Sequence, residues 1–276
     1  MTVSATAPSR FNEDAPGGLV PLPAPVWVWG LPLAPVTLAN AIEAIGALIA
    51  AGRPSYLVTA NLNYAMLTDR RPELDALNRG AALVLADGMP LVWAARWQQT
   101  PLPERVAGSD LIFALSGLAA RRGYRVFLLG GAPGVADQAA RNLCERYPGL
   151  QIVGTVSPPY RDLDAAEHAA LLETIRAARP NLLIGAFGQP RGELWMAENH
   201  RSLGVPVCVQ MGAAIDFAAG RVRRAPRWVQ RTGLEWAFRF ALEPRRLGGR
   251  YLRNGLFLGK MLVRGRRNRA AQEKRD

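Results

Sequence analysis

Short apolar runs alternate with amphipathic segments along most of this chain, and this alternation restricts the folds that it can adopt. Six apolar runs predict strands, at residues 55–61, 82–86, 124–129, 150–156, 181–187 and 207–211. Helical patterns separate them, at residues 36–51, 63–79, 110–122, 135–147, 165–179 and 193–203. Continuous apolar strands that alternate with longer helices are typical of a parallel sheet with both faces covered. The pattern therefore predicts an α/β fold.

Positive charge is concentrated in residues 221–276, which we call the tail. The whole chain has 276 residues and a formal net charge of +12. The tail holds 17 of the 34 Lys and Arg residues but only 4 of the 22 Asp and Glu residues, so the rest of the chain is close to neutral. We predict a catalytic domain at residues 27–220, followed by an appendage at residues 221–276 that holds an anionic partner.

The tail is predicted to be a basic amphipathic α-helical C-terminal appendage. Helical patterns occupy residues 227–242 and 245–262, with Pro226 and Pro244 at their starts. Aromatic and aliphatic residues alternate there with arginines, a pattern that suits an anionic membrane surface. Residues 264–276 have little apolar content and predict a frayed end.

The N-terminal segment and the cysteines bear on localisation. Residues 1–26 are rich in Pro, Ala and Gly and predict a disordered or loosely docked lead-in without the features of a signal peptide. No run reaches the ~18 apolar residues that span a bilayer. Cys144 and Cys208 lie in apolar sequence, as buried thiols of a reduced compartment do. We expect a cytoplasmic protein, peripheral on the inner face of the cytoplasmic membrane.

Polar residues at the carboxyl ends of the predicted strands are the first candidates for a site, because ligands bind parallel sheets there. Asp87 ends the second predicted strand and could accept a proton from an attacking hydroxyl. The alternative is that Asp87 caps the following helix. Thr59 and Asn61 end the first strand and could bind a substrate hydroxyl or diphosphate, although both are ordinary turn residues.

Two more strand ends carry candidate substrate-binding residues. Gly130 and Gly131 lead into a helix, and glycines there let backbone N–H groups approach a phosphate. The alternative is a tight strand-to-helix turn, since the full dinucleotide-binding pattern is missing. Gln189 could face the cleft, and Glu193 could bind sugar or cap the next helix.

No metal or other cofactor is predicted. Asp162 and Asp164 have the spacing of the metal-binding acids of many sugar transferases, but their place before a helix predicts that Asp164 is a helix cap. His168 and His200 make no recognisable metal-ligand spacing with the two cysteines.

Several strings of the sequence together carry a family resemblance. In the body they are Thr59-x-Asn61, Asp87-Gly88, Glu104-Arg105-Val106-x-Gly108-x-Asp110 and Leu129-Gly-Gly-x-Pro-Gly-Val135. Nearer the C-terminus they are Asp216-Phe-x-Ala-Gly220, Arg224-Ala-Pro-x-Trp228, Gly233-Leu-Glu-Trp236-x-x-Arg239 and Glu243-Pro-x-Arg246. In this order the chain, from about Thr59 to Phe257, resembles the WecG/TagA/CpsF family of bacterial glycosyltransferases.

The resemblance implies an inverting, metal-independent enzyme. It would move a sugar from a UDP-sugar to a polyprenyl-diphosphate-linked sugar, in the synthesis of a cell-surface polysaccharide such as an exopolysaccharide or a teichoic acid. It further implies a Rossmann-like parallel sheet covered by helices on both faces, and an appendage that meets the membrane and helps complete the active site. A homo-oligomer is left open.

The resemblance also implies roles for individual residues. Asp87 matches the position proposed as the base, with Thr59 and Asn61 beside it in the cleft. Arg239 and Arg246 match arginines proposed to contact the nucleotide diphosphate, and two further basic residues, Arg224 and Arg250, are added as candidate substrate-binding residues. Without a metal, arginines and helix N-termini are the groups available to stabilise a leaving UDP.

One string departs from the family pattern. The family usually has Pro-Lys-Gln-Glu where this chain has Pro190-Arg-Gly-Glu193, so Gly192 replaces a glutamine. The lost amide removes a hydrogen-bond donor and an acceptor from the cleft. Donor and acceptor preference relative to the N-acetylmannosamine transferases of the family is therefore left open, with Gln189 as a candidate substitute.

Two other functions follow from the residues without the resemblance. A nucleotide-dependent oxidoreductase would need a tight dinucleotide fingerprint, which the glycine spacing does not supply. A nucleic-acid-binding protein could stack bases on aromatic residues of the tail. However, the apolar helices of the tail fit a lipid boundary better, and no nucleic-acid-binding motif is present. The leading prediction is a glycosyltransferase that binds a UDP-sugar, a lipid-linked acceptor and an anionic membrane surface, without a nucleic-acid partner.

Overall fold

The described part of the chain folds around one parallel sheet, as the alternating pattern predicts. The computed structural model describes residues 23–222, 224–232 and 235–272, without the side chains of residues 227, 230, 231, 239, 246 and 265–272. The predicted lead-in at residues 1–26 therefore lies almost wholly outside the described residues.

A two-stranded antiparallel hairpin precedes a six-stranded parallel sheet. The strands are β1 (Val26–Val28), β2 (Leu31–Leu33), β3 (Ser55–Ala60), β4 (Leu83–Ala86), β5 (Arg125–Gly130), β6 (Gln151–Val156), β7 (Leu182–Ala186) and β8 (Val207–Gln210). The helices are α1 (Leu38–Ala51), α2 (Leu62–Thr68), α3 (Glu73–Gly80), α4 (Met89–Trp97), α5 (Gly108–Arg122), α6 (Val135–Arg146), α7 (Ala165–Ala178), α8 (Arg191–Leu203), α9 (Ala214–Ala218), α10 (Arg227–Thr232), α11 (Glu235–Leu242) and α12 (Pro244–Gln272).

The strand order of the parallel sheet is β4-β3-β8-β7-β5-β6. All six predicted strands are confirmed, and their ends lie within one residue of the predicted ones. The chain leaves β5 towards β6 and leaves β7 towards β8, so two neighbouring strands have connections that depart in opposite directions. Such a switch point opens a crevice outside the carboxyl ends of the strands. We call this end of the sheet the carboxyl edge.

Helices cover both faces of the sheet and form two cores. Helices α1, α5, α6 and α9 supply the buried residues of one core. Helices α2, α3, α4, α7 and α8 supply the other, together with the hairpin. Successive residues of a strand serve opposite cores, as Leu57 and Val58 do in β3. Burial on both faces explains why the strands are continuous apolar runs in the sequence.

Some local features differ from the expectations. The helix predicted at residues 63–79 is two helices, α2 and α3, because Pro72 lacks the N–H that a continuous helix needs at this point. The hairpin and α4 were not predicted. Cys208 is buried, but Cys144 is exposed on α6, so the prediction of two buried thiols is wrong for Cys144.

The tail is helical and packs against the catalytic domain. The helical pattern predicted at residues 227–242 is confirmed in α10 and α11, with residues 233 and 234 between them outside the described residues, and α12 continues past the predicted end at residue 262. Phe257 and Met261 of α12 join the second core, and the ring of Phe257 meets that of Trp29 edge-on at 5.7 Å. Lys260 Nζ lies 2.7 Å from Asp69 Oδ2 at the end of α2. No helix in the described part of the chain has the length and apolar character needed to cross a bilayer.

Candidate active site

The carboxyl edge brings most of the predicted residues to one side of the molecule. Asn61 follows β3, Asp87 follows β4, Gly130 ends β5 and Gln189 follows β7. Neighbouring strands are about 4.8 Å apart, so the ends of β4 and β5 are on the order of 19 Å apart. A ligand must therefore extend along the edge to reach both Asp87 and the glycine turn at Gly130.

Asp87 is held by the start of α5. Its Oδ1 accepts a hydrogen bond of 2.9 Å from the backbone N–H of Gly108, the first residue of that helix, and its own N–H donates to the carbonyl of Ala60. The residue that directly precedes α4 is Gly88, whereas the Asp87 carboxylate accepts this hydrogen bond from the start of α5. The positive end of the α5 dipole faces the carboxylate and fixes its orientation.

Thr59, Asn61 and Gln189 meet where β3 ends. The hydroxyl of Thr59 is buried and donates to the carbonyl of Gln210 in the neighbouring strand β8 at 2.8 Å. Asn61 Oδ1 accepts from the N–H of Tyr64 and caps α2. Gln189 reaches over the end of β8, since its Nε2 donates to the carbonyl of Thr59 and its Oε1 accepts from Asn63, both at 3.2 Å. The β7–α8 loop is thereby tied to β3 and α2.

The glycine turn after β5 is tightly constrained. Gly130 has φ +113°, and a Cβ there would lie 2.7 Å from the carbonyl oxygen of Ala186 in β7. Gly131 and Gly134 also have positive φ, and Gly134 directly precedes α6. The close approach to β7 explains Gly130 structurally, while residues 132–134 are exposed in front of the N-terminus of α6. The tight strand-to-helix turn is therefore confirmed, and phosphate binding by Gly130 and Gly131 stays a prediction.

Glu193 lies in the first turn of α8 and is 1% exposed. Burial raises its pKa to about 8, and the hydrogen-bonding groups nearby, its own backbone N–H and the Gln189 side chain, oppose this less strongly. Neither carboxyl oxygen has a hydrogen bond of normal geometry to a described residue. Glu193 therefore does not reach the open cleft in this conformation.

Gln210 was not predicted from the sequence, and it accounts for Gly192. Its side chain is fully buried. In the amide orientation that satisfies the surrounding donors and acceptors, the Gln210 side chain donates to the carbonyl of Gly185 and accepts from the N–H groups of Phe187 and Gly188. A Cβ on Gly192 would overlap this amide. The amide that the family pattern places at position 192 is thus absent, and the amide of Gln210 fills the adjacent space.

Two ion pairs join the tail to the start of α5, beside Asp87. Arg105 Nη1 lies 2.9 Å from Glu235 Oε2, and Arg224 Nη1 lies 2.6 Å from Asp110 Oδ1. Arg105 also lies 4.0 Å from Asp110 Oδ2, which links the pairs into one network. Arg224, predicted to bind substrate, thus contacts a carboxylate of the body. The sequence strings contained Arg105, Asp110 and Glu235 but gave no signal that they meet.

The other tail arginines are placed less fully. The side chains of Arg239 and Arg246 lie outside the described residues. Arg250 lies on α12 with its guanidinium 5.4 Å from the ring of Tyr251, and its Nε is buried without a hydrogen bond to a described residue. Asn254 lies one helical turn further along, and its buried Oδ1 also lacks a hydrogen bond to a described residue. The spacing puts both on one face of α12 with Leu247 and Phe257, which are buried.

The remaining sequence candidates are structural. Asp164 caps α7 and forms a capping box with Glu167, as predicted. The rings of His168 and His200 contact those of Trp195 and Tyr56. Within the described ranges, no three His, Cys, Asp or Glu side chains are grouped so as to hold a metal ion.

A parallel α/β sheet with a helix-held carboxylate, glycine turns at its carboxyl edge and a basic appendage docked beside them is typical of enzymes that bind phosphate-bearing ligands. The chain belongs to the glycosyl transferase WecG/TagA/CpsF family, whose model matches residues 26–271. Family membership makes it a glycosyltransferase and disfavours the oxidoreductase and nucleic-acid-binding alternatives.

Two relatives share the matched region. The chain is 29% identical over 192 residues to an N-acetylglucosaminyldiphosphoundecaprenol N-acetyl-beta-D-mannosaminyltransferase of Bacillus spizizenii strain W23, with 70% of this chain and 73% of the relative covered. It is 28% identical over 202 residues to the protein of the same name from Bacillus subtilis strain 168, with 73% of this chain and 74% of the relative covered.

Proposed function

We propose that this protein transfers a sugar from a UDP-sugar to N-acetylglucosamine linked through a diphosphate to a polyprenyl carrier, with inversion at the anomeric carbon. The acceptor is taken from the names of the two relatives. The observation that carries the proposal is the Asp87 carboxylate, oriented by the N–H of Gly108 at the carboxyl edge and adjoined by the docked tail.

Asp87 acts as the general base. It accepts the proton of the acceptor hydroxyl while the hydroxyl oxygen forms its bond to the anomeric carbon. The bond from that carbon to the diphosphate oxygen breaks on the opposite face, and its electron pair leaves with UDP. A positioned carboxylate in this role contributes typically 10²–10⁴-fold to the rate.

The donor extends along the carboxyl edge. Its anomeric carbon and the adjoining diphosphate lie near Asp87, within reach of the docked tail, and its nucleoside extends towards the glycine turn at Gly130 and Gly131. Its sugar lies towards Asn61 and Asp87. The order of these groups along the sheet supports this placement.

The tail supplies positive charge to the leaving diphosphate. Arg239 and Arg246 are assigned to this role, together with Arg250 and its neighbour Asn254, whose buried polar atoms lack partners among the described residues. Arg224 has two roles, since its ion pair with Asp110 holds the tail in place and its positive charge adds to that around the site. Thr59 supports the site from within the sheet, because its hydroxyl is bonded to β8.

The tail also holds the enzyme on the inner face of the cytoplasmic membrane, where a polyprenyl-linked acceptor lies. Leu252 and Leu256 are exposed on α12, and Trp228 and Trp236 are exposed on α10 and α11. Arginines of the same segment attract anionic lipid. Residues 27–220 then form the catalytic domain, and residues 221–276 form a segment that serves both membrane and substrate.

Substitution of Asp87 by Asn tests the assignment of the base. We expect at least a hundredfold loss of transfer from UDP-sugars to a short-chain lipid-diphosphate N-acetylglucosamine, with an unchanged melting temperature. A screen of UDP-sugars with the wild-type protein identifies the donor first.

Asp75→Asn is the matched control, since Asp75 is exposed on α3 and pairs with Arg79 at 2.8 Å. It should retain wild-type transfer. Full activity of Asp87→Asn would exclude Asp87 as the base, and absence of transfer with every UDP-sugar would exclude the proposed donor class.

A further inference from the structure

The carboxyl group of Glu193 is enclosed by protein, and it forms no ion pair with a cation among the described residues. Its Oε1 and Oε2 are buried, and neither makes a hydrogen bond of normal geometry with a described residue. Buried polar groups are bonded in the large majority of cases, and an ionised carboxylate in such a place carries a large desolvation cost. A neutral carboxylic acid fits this environment far better.

The groups that face Glu193 are themselves uncharged. Tyr64 of α2 is fully buried, and its pKa is raised by burial and further by the nearby Glu193. Its hydroxyl already donates to Asn78 Oδ1 at 2.9 Å. Gln189 lies in the loop just before α8, and the amide of Gln210 lies against Gly192.

Charged and titratable groups on the other elements that pack against α8 are engaged elsewhere. His168 of α7 meets Trp195, Tyr56 of β3 meets His200, and Arg176 of α7 donates to the carbonyl of Ser202. The α3 pair Asp75–Arg79 and the Arg191–Asp162 pair at the start of α8 lie at the surface. Burial is the largest influence on the pKa of Glu193, ahead of its own backbone N–H and the Gln189 side chain.

We propose that Glu193 is a positioning residue that works as a neutral carboxylic acid, and that loss of its proton sets the alkaline limit of the enzyme. Protonated, it lets the start of α8 remain packed, so that Gln189 keeps its bonds to Thr59 and Asn63 across the end of β8. Ionised, it cannot stay buried, and the β7–α8 loop loses its place on β3. The effect on catalysis rests on the proposed function, whereas the effect on folding does not.

The sign of the effect on stability follows from the two states of the chain. In the unfolded chain Glu193 ionises near its ordinary pKa of about 4.3, while the folded protein holds the proton up to about pH 8. Between these values the unfolded state binds fewer protons than the folded state, so the stability of the wild type falls as pH rises. Above about pH 8 both states are ionised at this position and the difference is constant. A glutamine at this position has no such dependence.

Thermal denaturation of wild type, Glu193→Gln and Glu198→Gln from pH 4.5 to 9 tests this directly. Glu198 lies on the same helix but is exposed, so its variant is the matched control. We expect the difference in melting temperature between Glu193→Gln and the wild type to grow with pH up to about pH 8 and to stay constant above it. The melting temperature of Glu198→Gln should follow that of the wild type throughout. Parallel curves for Glu193→Gln over the whole range would overturn the proposal.

The pH dependence of transfer is the second readout. Wild type and Glu198→Gln should lose on the order of tenfold in activity between pH 7 and pH 9, because protonation of a group with a pKa of about 8 falls by that factor. Glu193→Gln should lack this fall. The same alkaline fall in all three proteins would exclude Glu193 as its cause.

If Glu193→Gln fails to fold, infrared spectroscopy of the wild type labelled with ¹³C in the glutamate carboxyls decides the matter. A protonated carboxyl band at pH 7 that disappears above pH 8 supports the proposal, and its absence at pH 7 overturns it. If no sugar is transferred in any assay, the proposed function fails while the melting and infrared results still decide the state of Glu193.

Discussion

At the scale of single residues, the buried side chain of Gln210 requires glycine at position 192. A Cβ at this position would overlap the amide of Gln210, which holds three backbone groups of β7 and the following loop. Gly192→Ala should therefore cost about 1–3 kcal/mol of unfolding free energy through overpacking. Urea denaturation measures this loss.

A double-mutant cycle separates overpacking from other effects of the same substitution. In a Gln210→Ala background the same change at Gly192 should cost clearly less, because the amide that it meets is gone. Gly259→Ala is the matched control, since Gly259 is a helical glycine with open space around it. Alanine there should stabilise by up to about 1 kcal/mol. Equal costs for Gly192→Ala in both backgrounds would show that Gln210 does not enforce the glycine.

Residue roles could be predicted only in part from the sequence. The place of Asp87 at a strand end was predictable, because apolar strands end where polar residues begin. Its partner was not, because Gly108 is 21 residues away and becomes a neighbour only when the chain folds so that α5 begins at the end of β4. Gln210 gave no signal, and Glu193 was predicted only as a sugar-binding or capping residue, since burial of a polar side chain depends on tertiary packing that a single sequence does not show.

At the scale of elements, the start of α5 connects the base to the tail. Gly108 bonds Asp87, while Arg105 and Asp110 on either side of it bond Glu235 and Arg224. The side chains of Arg105 and Glu235 are only 16% and 10% exposed. Hydrogen bonds to charged groups that are this well buried contribute about 1.5–3 kcal/mol, so this pair should hold α11 firmly against the body.

A double-mutant cycle of Arg105→Ala and Glu235→Ala measures this coupling. We expect a coupling energy above about 1 kcal/mol in urea denaturation, and each single variant should lose transfer activity because α11 shifts relative to Asp87. The exposed pair Arg79–Asp75 is the control, where about 0.3–0.5 kcal/mol is expected. A coupling no larger than that of the control would mean that the tail is held by its apolar contacts alone.

Elements were predicted well where the apolar period was regular and poorly where a single residue decided the outcome. The six strands of the parallel sheet follow from continuous apolar runs. The division between α2 and α3 depends on Pro72, and the hairpin turn depends on Trp29 and Gly30, both with positive φ. Such local chemistry adds little to a pattern averaged over ten or more residues.

At the scale of the whole molecule, α12 has two different faces. Leu247, Phe257 and Met261 are buried, and Lys260 anchors the helix to Asp69. The opposite side exposes Leu252 and Leu256, each more than two-thirds exposed, among basic residues. A helix that is docked through one apolar side and still exposes a second one beside arginines is suited to a lipid surface. The proposed membrane role therefore depends on the exposed side, while the docked side holds Arg250 and Asn254 near the catalytic domain.

Flotation with liposomes tests the exposed side. We expect the wild type to bind vesicles with anionic lipid, less so at high salt, and Leu252→Ser/Leu256→Ser to bind at least about tenfold more weakly, because burial of each leucine contributes about 1.5–3 kcal/mol. Tyr160→Ser is the control, since Tyr160 is 95% exposed on a loop of the catalytic domain.

Because the double variant leaves the buried side intact, its melting temperature should match that of the wild type. Transfer to a short-chain, water-soluble acceptor should persist in the double variant, whereas transfer to acceptor in vesicles should fall with binding. Equal flotation of the double variant and the wild type, or binding to DNA in place of vesicles, would contradict the membrane role of the tail.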